Sequence, residues 1–248
     1  MASFLRRWKK PLIKTKILSG VAKYGWYLRS MHRYSKMEGA EPIRLRDTYP
    51  RLFDDKPKTS VNTQYFYQDV WAFRKIYSFK PDTHVDVGSN VIWVSLLTAI
   101  TKVHFVDIRP LDAPDLDNIE CITGSVLEMP YPDNSLKSLS CLNVAEHVGL
   151  GRYGDPLDPL GTKKAAEELA RCLAKGGNLL FSLPVGKPRV CFNAHRVHSP
   201  SKIVEYFGNL KLVEFSGADD KNRWRRNIEV SSLENAKLAC GMFHFTKE

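Results

Sequence analysis

Apolar positions recur along this chain with two different periods, and the change from one to the other divides it. Near the amino end Ile13, Ile17, Val21, Tyr24 and Leu28 follow at steps of three or four. That spacing predicts one helical face, with Lys14, Lys16, Lys23 and Arg29 elsewhere around the wheel. Pro11 marks a start or kink of that helix, and Pro42, Pro50 and Pro57 punctuate the stretch after it. A second helical run goes from Asn62 to Tyr77, carrying Tyr65, Phe66, Val70, Trp71, Phe73 and Ile76. After Pro81 short β-rich runs alternate with helical ones. Strands are predicted at His84–Val87, Val103–Asp107, Ile119–Thr123, Ser138–Leu142, Asn178–Leu183, Leu210–Phe215 and Met242–Thr246. Helices are predicted at Val91–Ile100, at Thr162–Ala174 with Gly176-Gly177 as its stop signal, and at Ser201–Phe207, with Thr162 and Ser199 as caps.

Strands separated by helices mean βαβ units and a mostly parallel sheet of seven strands flanked by helices. Ligands of such sheets sit beyond the carboxyl ends of the strands, where strand order reverses. The residues to interrogate are therefore 86–91, 107–110, 123–127, 142–148 and 183–198. The change of pattern divides the chain into a basic, partly helical extension, 1–60, and an α/β domain, 61–248.

With 248 residues, 43% of them hydrophobic, the chain is long enough for one sizeable core. The net charge of +10 is unevenly placed: residues 1–36 hold ten Lys and Arg, and the first acidic residue is Glu38. Beyond residue 36 the charges balance, which disfavours a whole-domain nucleic-acid binder and makes the leader a candidate for an anionic membrane surface. Its Phe4, Trp8, Ile13, Ile17 and Val21 are interleaved with the basic residues, although a basic helix simply packed on the domain fits equally well. Five scattered cysteines without a CxxC spacing argue against a disulfide framework or a thiolate zinc site, and for a reducing compartment. Val91–Ile100 is about half a membrane span, and the leader lacks the apolar region of a secretory signal. A cytoplasmic protein is expected, with any membrane contact at the inner surface.

The chemistry-bearing motifs fall at the strand ends. Asp86-Val87-Gly88-Ser89-Asn90 ends the first strand, and only Gly88 survives of a three-glycine dinucleotide turn. Gly88 permits a tight turn, and Asn90 tolerates a left-handed conformation after it. Taken alone, this is an ordinary strand-ending turn. Asp107 changes the balance: it ends the next strand 21 residues after Asp86, where a carboxylate can accept hydrogen bonds from a ribose diol.

Met129-Pro130-Tyr131-Pro132-Asp133-Asn134-Ser135 resembles a stretch of the class I S-adenosylmethionine-dependent methyltransferases. Downstream, Leu142-Asn143-Val144-Ala145-Glu146-His147 and the run Leu169–Leu180 continue the likeness, in the right order. Within that superfamily, Tyr65–Trp71, Gly88-Ser89-Asn90, Glu146–Pro156 and Phe192–Arg196 are similar to a methyltransferase-like family labelled a domain of unknown function, associated with modifying surface sugars. The resemblance implies a Rossmann-like class I methyltransferase fold and S-adenosyl-L-methionine as cofactor. It assigns Asp86, Val87, Gly88, Ser89, Asn90, Asp107, Ile108, Ser125, Val126 and Asn143 to cofactor binding. Two positions depart from the superfamily pattern: Asn90 stands for a second glycine, and Ser125 for the acid that contacts adenine.

Methylation of an alcohol needs a base for the departing proton. His147 is the candidate, its ordinary pKa near 6.5 leaving neutral imidazole available, with Glu146 orienting it or binding substrate. Arg152, Tyr153, Asp155, His195 and Arg196 suit a polyhydroxylated or anionic acceptor. For Arg152 and His198 a solvated loop is the simpler reading. No short His spacing such as HxxxH is present, so no metal is expected. The leading reading is O-methylation of a sugar, glycolipid or related small molecule in polysaccharide biosynthesis. An RNA or protein methyltransferase, gripping a polyanion through the leader and Lys221–Arg226, is the first alternative. A non-catalytic scaffold, motivated by Asn90 and Ser125, is the second.

Overall fold

A computed structural model describes residues 17–59, 61–109 and 111–248. Phe4, Trp8, Pro11, Ile13 and six of the ten leader cations lie outside the described residues. The chain divides into two compact units, Met1–Ser60 and Val61–Glu248.

In the first unit the predicted face forms helix α1, Ile17–Tyr34, and Lys23 pairs with Asp55 at 2.6 Å. Val21 and Leu28, seven residues apart on that face, remain exposed. Among the described residues no helix is long and apolar enough to cross a membrane.

The second unit opens with α2, Thr63–Phe79, whose N-cap Asn62 accepts a hydrogen bond from the Gln64 amide at 3.2 Å. There follow β1 (Thr83–Val87), α3 (Val91–Leu97), β2 (Lys102–Asp107), β3 (Ile119–Thr123), β4 (Leu136–Leu142), α4 (Gly161–Cys172) and β5 (Leu173–Val185). The chain ends with β6 (Arg189–Cys191), β7 (His195–Val197), α5 (Pro200–Tyr206), β8 (Lys211–Ala218), β9 (Trp224–Arg225) and β10 (Ala239–Thr246). The main sheet runs β3-β2-β1-β4-β5-β10-β8-β9, parallel from β3 to β5, with β10 antiparallel to both β5 and β8. The seven expected strands are all present, and the two-residue β9 makes an eighth at the edge.

Alternation along the strands supplies two cores. Val106, Leu139, Cys141, Leu179, Phe181 and Phe243 meet Ala165 and Leu169 of α4 and Ile203 of α5. Phe105, Leu142, Leu180 and Met242 face the other way, toward Trp71 and Ile76 of α2 and Trp93 and Leu97 of α3. Burial on both faces is why the strands read as apolar runs.

Three local expectations need correction. The helix expected over Thr162–Ala174 stops at Cys172, because Leu173 already pairs with Leu136 of β4, so Gly176-Gly177 lies inside a strand. Thr162 is not its cap: the N-cap position is Leu160, and the Thr162 hydroxyl donates to the Ala145 carbonyl at 2.9 Å. The helix expected to reach Ile100 ends at Leu97. Ser199 does cap α5, accepting from the Lys202 amide at 3.3 Å. The loop after β5 holds an unforeseen hairpin, β6–β7.

Candidate active site

Strand order reverses between β1 and β4, and the register brings several strand ends to one edge there. Val87 pairs with Val106, the Gly88 amide donates to the Val106 carbonyl at 2.9 Å, and Gly88 thereby lies beside Asp107. The Gly124 amide continues the line, donating to the Asp107 carbonyl at 3.1 Å. Gly88 adopts φ +66°, and a Cβ there would lie 3.2 Å from Val144 Cγ1 and 3.7 Å from Asp107 Oδ2, filling the crevice.

Asp107 is held in one orientation. Its Oδ1 accepts from the Arg109 amide at 2.7 Å and from Arg109 Nε at 3.4 Å, which fixes the carboxylate and leaves Oδ2 facing the space over Gly88. Val87, Ile108, Ser125 and Val126 join it around a cavity of about 420 Å³. The Ser125 hydroxyl accepts from the Leu127 amide at 3.1 Å, which shapes the turn after β3 without closing the cavity.

Asp86 and Asn90 take other roles than expected. Asp86 is fully buried and points at α3, accepting from the Ser89 amide at 3.1 Å, from Trp93 Nε1 at 3.3 Å and from the Ser140 hydroxyl. Burial pushes its pKa up to about 6. It lines neither cavity of the site; it anchors the Gly88 turn from beneath. Asn90 is extended rather than left-handed and caps α3, accepting from the Ile92 amide at 2.9 Å. Asp86→Ala should therefore cost about 2–4 kcal/mol of stability, from three orphaned buried donors. Urea unfolding checks this, and a variant of wild-type stability would refute the anchoring role.

A second cavity of about 430 Å³ adjoins the first and shares with it Gly88, Arg109, Asn143, His147 and Tyr153. Ser89, Asn90, Glu146, Arg152 and His195 complete much of its wall. Asn143 takes φ +55° after β4, and its buried Oδ1 has no hydrogen-bond partner. Glu146 is 2% exposed, its Oε2 is also unpartnered, and burial pushes its pKa up to about 8. His147 donates from Nδ1 to the Ala194 carbonyl at 2.6 Å, so Nε2 carries the lone pair, and it faces Glu146 Oε1 at 3.6 Å. Burial is the main cause that lowers its pKa to about 4.

Tyr153 stands between the cavities. Its ring lies 4.6 Å from the Arg109 guanidinium carbon, 5.1 Å from that of Arg152, and edge-on to His147 at 5.8 Å between centroids. The loop that carries it is fixed by Asp155, which accepts from the Gly149 amide at 2.6 Å and the Tyr153 amide at 3.2 Å. Gly149 is required there: at φ +79°, a Cβ would lie 2.1 Å from the Asp158 carbonyl oxygen. Arg196, expected to bind substrate, is buried instead and clamps both ends of this loop, donating to the Val148 carbonyl and, at 2.9 Å, to the Asp158 carbonyl. It lines neither cavity. Arg109, Gly124 and Val144 line the site from strand-end segments that the sequence pointed to, without having been singled out, and Tyr65 lines it from α2, which no strand-end argument reaches.

This is the class I methyltransferase fold. The N-methyltransferase NodS of Bradyrhizobium japonicum, solved with S-adenosyl-L-homocysteine, superposes with a TM-score of 0.52 at 13% identity, covering 88% of this chain and 97% of that one. The YcgJ protein of Bacillus subtilis gives 0.52 at 12% identity, covering 74% and 99%. The [4+2]-cyclase SpnF gives 0.52 at 11% identity, covering 72% and 80%, so the same fold also serves a protein named for another reaction. By sequence the chain belongs to the family described as "Caenorhabditis protein of unknown function, DUF268", which matches residues 87–239. No curated protein matches it in sequence.

Proposed function

We propose that this protein transfers a methyl group from S-adenosyl-L-methionine to a hydroxyl of a sugar, glycolipid or related small molecule. The observation that carries the reading is a pair of adjoining cavities with complementary chemistry. One holds a fixed carboxylate over a glycine cradle; the other holds a buried, unpartnered carboxyl.

The cofactor fits the residues present. Asp107 Oδ2 would accept from the ribose hydroxyls, Val87, Ile108 and Val126 would enclose the adenine, and Asn143 Oδ1 would accept from the ammonium. When bound, the sulfonium supplies an electrophilic methyl carbon. The chain must then hold the acceptor oxygen in line and take its proton. Glu146 suits that second task better than His147: its pKa is near 8, whereas the imidazole at about 4 is the weaker base. His147, fixed by Ala194, keeps its Nε2 lone pair 3.6 Å from Glu146 Oε1.

Calorimetric titration with S-adenosyl-L-homocysteine tests the reading without an acceptor. Binding is expected; no heat and no thermal shift at millimolar concentration would end it. Asn90 and Ser125 favour the enzyme over the scaffold, since one caps a helix and the other shapes a turn, and neither obstructs the crevice. In the run Lys221–Arg226, Arg223 and Arg225 pair with Asp219 and Arg226 stacks on Trp224; none lines either cavity, so nothing there favours a polyanion substrate.

We also propose that α1 docks on an anionic membrane surface. The exposed Val21 and Leu28 and the exposed cations Arg29, Arg33 and Lys36 support this, each cation contributing about 1 kcal/mol. The full chain should pellet with phosphatidylglycerol vesicles, release as salt rises, and stay in solution with phosphatidylcholine. Equal behaviour toward both vesicles would exclude this docking.

A further inference from the structure

The second cavity is polar at two levels, and the levels differ in sign. At its floor the unpartnered Glu146 Oε2 and Asn143 Oδ1 await hydroxyl or amine partners. At its rim stand Arg152, Arg109 and His195. Arg109 is already compensated by Asp107. Arg152 is not: its guanidinium donates to the Ala194 carbonyl at 2.9 Å and lies 3.2 Å from His147 Nδ1, and among the described residues it forms no ion pair within 4 Å. The nearest acid on its own loop, Asp155, has both oxygens occupied by backbone amides. Arg189 of β6 lies outside the cavity wall, donates to the Lys187 carbonyl at 3.1 Å and adds positive charge near His195. His195 reports the resulting field: burial lowers its pKa first, and Arg189 and Arg152 lower it further.

A guanidinium without an ion-pair partner at the mouth of a polar cavity suits a carboxylate or phosphate, which it binds through charge-assisted hydrogen bonds. Tyr153, packed against Arg152, limits the directions the guanidinium can take and so favours a fixed rather than a diffuse contact. We infer that Arg152, with His195 beside it, forms an anion subsite at the rim of the second cavity. The acceptor is then an acidic hydroxy-compound, such as a carboxylated or phosphorylated sugar, with its anionic group at the rim and its reacting hydroxyl at Glu146. This inference deepens the methyltransferase reading and rests on it for the reacting hydroxyl, whereas the anion subsite itself can be measured independently.

The test uses the full chain saturated with S-adenosyl-L-homocysteine and titrated at constant ionic strength with glucuronate, glucose 6-phosphate, inorganic phosphate and, as neutral control, glucose. The acidic sugars should bind at least about tenfold more tightly than glucose, the worth of one charge-assisted hydrogen bond. Arg152→Gln should abolish that preference while leaving the homocysteine-ligand affinity and the melting temperature as in wild type. A preference for the two sugars over inorganic phosphate places the ligand in the cavity; inorganic phosphate binding as well as they do identifies a simple anion site and overturns the substrate inference. Equal affinity for glucose, absence of binding by both acidic sugars, or an Arg152→Gln protein that keeps the preference overturns it as well. Failure to bind the homocysteine ligand is a separate result: it ends the methyltransferase reading, while the acidic sugars, titrated alone, still decide the anion subsite.

Discussion

Replacing Glu146 with Gln is expected to lower methyl transfer by about 10²–10⁴-fold, the usual worth of a positioned base, without weakening cofactor binding. The same variant should change how stability depends on pH, a measurement that needs no acceptor. Burial raises the Glu146 pKa from an ordinary 4.5 to about 8. A carboxyl so raised stabilises the fold fully below its unfolded value, and that contribution is lost as pH climbs through the folded value. Glu146 alone should therefore cost the fold about 2 kcal/mol between pH 6.5 and 8, whereas the depressed histidines work in the opposite sense below that range. Asp86 contributes in the same direction but in a lower window, ending near its folded value of about 6. Between pH 6.5 and 8 the loss is chiefly that of Glu146, because the depressed His84, His147, His198 and His244 act below that range and the raised thiols of Cys141, Cys172 and Cys240 above it. Thermal melts of both proteins across this range provide the check. If the Gln variant retains the alkaline loss, Glu146 is not the group that titrates there.

The second large effect is on cofactor affinity. Asp107→Ala should weaken S-adenosyl-L-homocysteine binding by about 10²-fold, since a fixed carboxylate meeting a diol makes two charge-assisted hydrogen bonds. Gly88→Val should be at least as damaging, for two separate reasons. Its backbone at φ +66° disfavours any side chain, and the added carbons would enter the space between Val144 and Asp107. Gly88→Ala should be milder, because its one carbon meets Val144 at a distance that a small shift relieves. Calorimetry on folded protein distinguishes the series, and equal binding by all three variants would place the cofactor elsewhere.

Much of this site could be read from strand ends. Gly88, Asp107, Ser125 and Asn143 follow four apolar runs, and a parallel sheet brings such positions to one edge whatever the loop lengths. Glu146 and His147 were legible as a pair for the same reason. Their different environments were not, because these depend on burial: Glu146 is 2% exposed with its Oε2 unpartnered, while His147 is held by a carbonyl 47 residues away. Asp86 and Asp107 look equivalent in sequence, yet one points into the packing of α3 and the other lies past the last pleat, over the crevice.

The amino-acid order by itself determined the alternation of strands and helices, the division near residue 60 and the edge at which chemistry gathers. These follow from local periodicity and from the charge imbalance of the first 36 residues. The tertiary structure alone decided that Arg196 is a clamp, that Arg109 and Arg152 flank Tyr153, and that burial shifts Glu146 up and His147 down. The physical reason is that charge state and hydrogen-bond partner are set by desolvation and by residues distant along the chain, which no local pattern encodes.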